Sequence, residues 1–237
     1  MTDADFACGQ RIFAIGDIHG RLDLLERAIA AIGRDVAAHG PAALTVTIGD
    51  YIDRGPQSRG VIDRLSDNPF PTSYVALRGN HEDYLVRFLG DPGIGPHWFT
   101  QGGQETLRSY GVQIAGPLAA NLTRACNQLK AALPASHLAF LNGLNFSVSR
   151  GRYFFCHAGV RPGVPLSRQS EHDLTWIRGE FLESTVDFGK IVVHGHTPVP
   201  EPEVRPNRID IDTGAFATGR LTCAVLSETE PPRFLAV

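Results

Sequence analysis

Five short stretches of the chain place cation-binding or proton-carrying side chains directly after an apolar run. They hold Asp17 and His19 in GDIHG, Asp50, Asp53 and Arg54 in GDYIDRGP, Asn80 and His81 in RGNHE, His157 in CHAG, and His196 in HGHTP. Carboxylate, amide and imidazole are oxygen and nitrogen donors without a thiolate. Such a set suits Mn²⁺, Fe, Zn²⁺ or Mg²⁺ and disfavours a closed structural zinc site. Asp17, Asp50, Asn80, His19, His157 and His196 suffice for two divalent ions if one carboxylate bridges them, and Asp50 is the central candidate. His81 can titrate near neutrality and protonate a leaving oxygen, with Asp53 on its other ring nitrogen. Two divalent ions against two carboxylates leave the site net positive, which a hydroxide and an incoming phosphate would balance. Arg54 and Arg178 can fork onto phosphate oxygens. Metals ~4 Å apart clamp the attacking and leaving oxygens of an in-line displacement, with a bridging hydroxide as nucleophile.

Groups of this kind work together only if the strands before them end at one rim. Arg11–Ile15, the run from Leu44 to Ile48, Ser73–Leu77, Arg152–Cys156, Ile191–Val193 and Ile209–Asp212 all read as strands. Leu144–Ser149 pairs with Arg152–Cys156 as a hairpin, and Leu221–Leu226 and Phe234–Val237 add two further strands. Asp17 and His19, two apart in an extended segment, should point the same way. Cys156 and His157 should point to opposite faces, so Cys156 is packing if His157 faces the site. Leu22, Leu25, Ile29 and Ile32 recur at helical spacing, which predicts a helix that Gly33 stops. Helices are also predicted over Ser58–Leu65 and Asp83–Leu89. Glu171–Ser184 reads as helix or loop and carries Arg178. Residues 90–142 depart from the strand-turn-helix pattern and read as a helical insertion packed on an α/β core, placed where it can cover the site. Within it, His97 and His137 read as surface or packing histidines and Trp98 as core. His194 also reads as structural. No internal repeat or Ser/Gly-rich linker divides the chain, so residues 1–237 read as one catalytic domain.

Composition narrows the partners. The chain has 237 residues, 43% of them hydrophobic, and a net charge of -3. That is ample for one large core and supplies no polyanion-binding surface, so nucleic acid is a poor partner. No apolar run approaches membrane-spanning length, and the acidic start MTDADFACGQ is no secretory signal. The four cysteines (Cys8, Cys126, Cys156, Cys223) are scattered and read as free thiols. The expectation is a cytoplasmic enzyme with no membrane partner. Its oligomeric state is open.

GDIHG, GDYIDRGP, LRGNHE, HAG and HGHTP, in this order, resemble the metallophosphoesterase superfamily. The GDYIDRG and LRGNHE forms are similar to its phosphoprotein phosphatase branch, the Ser/Thr protein phosphatase type and its bacterial members. The resemblance runs from about Arg11 to Ala215. It implies a calcineurin-like β-sandwich flanked by helices, with Asp17, His19 and Asp50 on one metal and Asp50, Asn80, His157 and His196 on the other. It also implies His81 as acid, Asp53 as its partner, and Arg54, Arg178 and Asn80 on the substrate phosphate, with Mn²⁺ as the first choice of metal. In HGHTP the family ligand matches His196. Nuclease-like and cyclic phosphodiesterase members carry a further histidine where this chain has Pro198, which favours phosphomonoesters over phosphodiesters. The implied activity is hydrolysis of phosphoserine or phosphothreonine in proteins, or of a small phosphate ester. The chain is short beside eukaryotic catalytic subunits, however, and shows no peptide groove. The alternative is a diadenosine tetraphosphate hydrolase on the same framework. A catalytically inactive phosphate-binding module is a third reading, opposed by the complete ligand set.

Overall fold

The computed structural model describes residues 10–114 and 118–237; Cys8 lies outside them. Its framework is two five-stranded sheets packed face to face, with helices on both outer faces. The elements run β1 (Arg11–Ile15), α1 (Leu22–His39), β2 (Ala43–Thr47), α2 (Ser58–Leu65), β3 (Ser73–Ala76) and α3 (Asn80–Gly90). Then come α4 (Gly95–Thr100), α5 (Gly103–Ser109), α6 (Leu118–Ala132) and α7 (Ala135–Gly143), followed by the hairpin β4 (Ser147–Arg150) and β5 (Tyr153–Cys156). The remainder is α8 (Glu171–Trp176), α9 (Gly179–Leu182), β6 (Ile191–His194), β7 (Glu203–Val204), β8 (Arg208–Asp210), α10 (Ala215–Thr218), β9 (Thr222–Leu226) and β10 (Arg233–Ala236). One sheet has the order β10-β9-β1-β2-β3 and the other β4-β5-β6-β8-β7.

The two-residue period of a strand produces the layers. Ile12 and Ala14 of β1, Leu44 and Val46 of β2, and Ala224 and Leu226 of β9 face Tyr153, Phe155, Val193 and Ile209 across the sandwich. The alternate residues Phe13 and Ile15 pack outward on Leu24, Leu25, Ala28 and Ile32 of α1 and on Val61 and Ile62 of α2. On the other side Phe154, Cys156 and Val192 pack on Leu174 and Phe181. Every strand that leads into a site motif is thus covered on both faces. β1, β2 and β3 are mutually parallel, as are β5, β6 and β8. The site-bearing strands of each sheet therefore end on the same side, as the sequence requires.

Two helix boundaries and one short strand differ from expectation. The first helix runs past Gly33 to His39 and ends at Gly40, whose φ is 90°. Gly33 lies on a face where a Cβ would meet nothing within 4 Å, and one interior glycine costs only about 1 kcal/mol. Buried Asp35 and half-buried Val36 carry the inward face onward. The helix predicted from Asp83 begins at Asn80, because Glu82 reaches back to accept the Gly79 N–H at 2.9 Å. Asn80 and His81 therefore belong to a helical first turn, whose geometry fixes them more tightly than a loop. The short strand β7, in the proline-rich PVPEPEVRP, escapes sequence patterning altogether. Among the described residues no helix is long and apolar enough to cross a membrane.

Candidate active site

The polar ends of β1, β2, β3, β5 and β6 converge on the Asp50 carboxylate. His157 Nε2 lies 3.3 Å from its Oδ1, and His19 Nε2 and His81 Nε2 lie 3.5 and 3.7 Å from its Oδ2. His157 Nε2 is also 2.9 Å from Asn80 Oδ1 and 3.2 Å from His196 Nδ1. All of these groups are buried. Two clusters have ligand-type atoms mutually close enough to share a cation, namely His19, Asp50 and His81, and Asp50, His157 and His196. Asp50 belongs to both.

Backbone geometry brings them together. The non-glycine residues with positive φ are His19, Asp50, Asp53, Arg54 and His196, among the described residues, and all five are in the candidate set. That conformation is sparsely populated outside glycine and concentrates where structure constrains function. His19, at φ 44°, corrects the expectation that Asp17 and His19 lie in one extended segment. A left-handed turn swings the imidazole under Asp50. Gly195 is held to a hydrogen side chain because a Cβ there would overlap Asp17 Oδ1.

Hydrogen bonds fix the histidine tautomers. His19 Nδ1–H donates to Ile52 O at 2.8 Å and His157 Nδ1–H to Ile48 O at 3.0 Å. Each ring therefore turns an Nε2 lone pair on Asp50, the orientation that metal-binding histidines take from their outer partners. Burial lowers the pKa of His19 and His157, and burial with the His157 field takes His196 down to about 2. Neutral imidazole is the form that binds a metal. Asp17 is pushed well above the usual carboxylate range by burial and then by Asp212, Asp50 and Asp210. Asp17 Oδ1 and His196 Nε2 are buried with no hydrogen-bond partner. Crowded carboxylates, neutral imidazoles and orphaned acceptors are what a divalent cation would relieve, so the residues fit two such ions. Asp17 stands outside both tight clusters, its Oδ2 accepting the His196 N–H at 3.2 Å.

His81 differs from the other rings. Burial lowers its pKa, but Asp50 and the hydrogen bond to Asp53 outweigh this and raise it. Its Nδ1–H donates to Asp53 Oδ2 at 2.6 Å, and its Nε2 lies 3.4 Å from Arg54 Nη2. The guanidinium charge pulls the His81 pKa down, so it is Asp50 and Asp53 that keep the ring basic. Asp53 is itself tightly held. Trp98 Nε1–H donates to Oδ2 at 2.8 Å and the Thr106 hydroxyl to Oδ1 at 2.5 Å. The Asp53 N–H donates to the Thr106 hydroxyl, and the Arg54 N–H to Gly102 O at 3.3 Å. The helical insertion thus buttresses the His81–Asp53 pair through α4 and α5. Arg178, ahead of α9, is exposed, and its charge lowers the pKa of both His157 and His196, which puts it within electrostatic reach of them.

Sequence reasoning assigned no role to four residues here. Glu82 accepts N–H bonds from Asp50 and Gly79 at 2.9 Å and from Tyr51 at 2.8 Å, and burial first, then Asp50, raises its pKa to about 7. Asp212 accepts the Gly214 N–H at 2.9 Å, faces Asp17, and is raised to about 6 mainly by burial. Its setting, a strand and then Asp212-Thr213-Gly214, repeats the signal that marked Asp17 and Asp50. Trp98 and Thr106 carry no such signal. Trp98 is fully buried, as expected, yet it also serves Asp53. His194 is buried against the Phe181 ring and stands apart from both clusters, as expected.

Comparison with known proteins identifies relatives along most of the chain. The chain is 27% identical to a bis(5'-nucleosyl)-tetraphosphatase PrpE [asymmetrical] of Anoxybacillus flavithermus, over 91% of this chain and 90% of that protein. It is 28% identical to the protein of that name from Oceanobacillus iheyensis, over 93% and 90%. A solved candidate diadenosine tetraphosphatase superposes with a TM-score of 0.65 at 20% identity, covering 96% of this chain and 94% of that one. A Saccharomyces cerevisiae protein serine/threonine phosphatase superposes with a TM-score of 0.58 at 14% identity, covering 100% and 82%. These two structures share the fold. The family model for calcineurin-like phosphoesterase matches residues 10–221, and the chain belongs to that family.

Proposed function

We propose that the chain hydrolyses dinucleoside polyphosphates in a metal-dependent reaction, cleaving a bis(5'-nucleosyl)-tetraphosphate asymmetrically. The observation that carries a phosphoester reaction is the convergence of five strand ends on Asp50, with His81 and Arg54 at its edge. The curated relatives, which match along nine-tenths of the chain, favour a dinucleotide over the phosphoprotein that the motifs first suggested. Hydrolysis of phosphoserine or phosphothreonine in proteins is the second reading, favoured by the GDYIDRG and LRGNHE forms.

In this reading Asp17, His19 and Asp50 hold one divalent ion, and Asp50, Asn80, His157 and His196 the other. Such a pair, once bound, activates a water and neutralises phosphate charge. Arg54, Arg178 and the Asn80 amide orient the phosphate. His81 delivers the proton on Nε2 to the leaving oxygen, and Asp53 holds its Nδ1–H and keeps the charged ring in place. The sandwich and its helices act as one catalytic domain.

The test is a parallel assay of the metal-stripped protein after Mn²⁺ is restored. Its substrates are diadenosine tetraphosphate, a phosphoserine/phosphothreonine peptide, p-nitrophenyl phosphate and bis-p-nitrophenyl phosphate. A large preference for the dinucleotide is expected. Strong phosphopeptide turnover would move the assignment to the second reading, and no turnover with metal bound would point to a phosphate-binding module.

A further inference from the structure

Phe216 is a large apolar side chain left 37% exposed beside the site. It sits on the four-residue helix α10, between Gly214 and Gly219, both in the left-handed conformation. That short element is firmly tied. Arg21 Nη1 donates to Ala215 O at 2.9 Å, the Thr218 hydroxyl to Thr213 O at 2.8 Å, and the Gly214 N–H to Asp212 Oδ1 at 2.9 Å. The ring so presented meets two site residues. It lies edge to face with His19, with centroids 5.5 Å apart, and the Arg54 guanidinium lies over it with Cζ 4.6 Å from the centroid.

The Arg54 backbone is tied to the insertion through its N–H bond to Gly102 O. The hydrogen-bond and ring contacts of its guanidinium, among the described residues, are His81 Nε2 and Phe216. A carboxylate partner would occupy the guanidinium fork and cancel its charge. An aromatic face attracts the cation and leaves the in-plane N–H donors free for a phosphate. It also fixes beforehand a side chain that is rich in rotamers when loose, which lowers the cost of binding.

We propose that Phe216 is a positioning residue, its ring holding the Arg54 guanidinium flat and aimed at the substrate phosphate beside His81. This rests on the reading of Arg54 as a phosphate ligand and is independent of which phosphate ester is the substrate.

The test is calorimetric titration of inorganic phosphate into the Mn²⁺-loaded protein, with F216L, F216Y and R54A made singly and F216L and R54A combined. Phe216→Leu keeps the bulk and loses the ring, so the fold survives, which thermal melting checks. F216L should weaken phosphate binding about fivefold and F216Y should restore it to within about twofold. Once Arg54 is gone, F216L should cost nothing further, since residues in contact couple. The KM of the preferred phosphate ester should rise with the phosphate Kd while kcat changes little. F216L binding phosphate as wild type does, an undiminished F216L effect in the R54A background, or loss of bound metal in F216L would each overturn the proposal. Absence of phosphate binding by the wild type, or unchanged binding by R54A, removes its premise and overturns it too. Failure of the dinucleotide assay with this coupling intact would count against the proposed substrate alone.

Discussion

The molecule contains two histidine–aspartate pairs of nearly equal length in very different settings. His81 Nδ1 meets Asp53 Oδ2 at 2.6 Å, and His137 Nε2 meets Asp63 Oδ1 at 2.7 Å. Both rings are buried. In the first pair the carboxylate is sealed in, with donors from Trp98 and Thr106, and the far ring nitrogen opens on Asp50 and Arg54. In the second pair the carboxylate is half exposed, and the far nitrogen is taken by the Tyr110 hydroxyl at 2.8 Å. Nε2–H donates to Asp63 and Nδ1 accepts from Tyr110, so the ring has neither a proton nor a lone pair to spare. It ties α2, α5 and α7 together. A histidine–carboxylate pair is therefore available for chemistry only where one ring nitrogen is left facing a substrate.

The difference can be broken experimentally, starting with the group that both metal clusters share. Asp50→Asn should abolish turnover and weaken metal binding at both clusters, read by metal content after dialysis; full activity would remove the bridging role. His81→Asn should keep the metal and lower kcat about 10²- to 10⁴-fold on poor leaving groups, the range typical of a lost general acid. Unchanged turnover would make the two histidine pairs equivalent and would place the acid elsewhere. His137→Asn should do the opposite, leaving kcat within about twofold and lowering unfolding stability by roughly 1–3 kcal/mol, because Tyr110 loses a buried partner. Denaturant titration beside a turnover assay separates the two. Trp98→Phe, which removes one donor from Asp53 while keeping the bulk, should lower kcat by about tenfold, the worth of one hydrogen bond to a charged group.

A further histidine–aspartate approach forms no pair. His194 Nδ1 lies 3.8 Å from Asp210 Oδ2, which has no hydrogen-bond partner. Burial brings His194 down to about 3, so it stays neutral, and burial brings Asp210 up to about 8. The folded state therefore holds a proton that the unfolded chain releases above its ordinary carboxylate pKa of 3.8. Stability from this group is fully present below that value and is lost as pH rises through about 8. Asp210→Asn should flatten the decline in Tm between about pH 4 and pH 8. An unchanged slope would assign the decline to another group.

Much of the site is legible in the sequence because it is written locally. Each ligand type follows an apolar strand and precedes a glycine-bearing turn, so Asp17, Asp50, Asn80, His157 and His196 are recognisable one stretch at a time. Asp212 carries the same signature. The strands are legible as apolar runs, the two-sheet sandwich only through the family resemblance, and the insertion at residues 90–142 from its loss of the strand-turn-helix pattern. Gly33 misled because a lone glycine is a weak stop when the inward face continues beyond it. Trp98 and Thr106 were illegible as partners of Asp53, since their hydrogen bonds span 45 and 53 residues. No periodicity encodes a contact that distant.

The sequence alone determined which donors exist, that they are oxygen and nitrogen donors without a thiolate, and that each closes an apolar strand. Those are matters of residue type and local pattern. Only the tertiary structure decided which histidine is free to act. His81 and His137 each sit beside an aspartate, and what separates them is whether the second ring nitrogen meets Tyr110 or faces Asp50 and Arg54. The strained turns at His19, Asp50, Asp53, Arg54 and His196 also belong to the tertiary structure. A left-handed backbone at such residues costs free energy locally, and it persists because the packed sandwich on either side leaves the chain no other path.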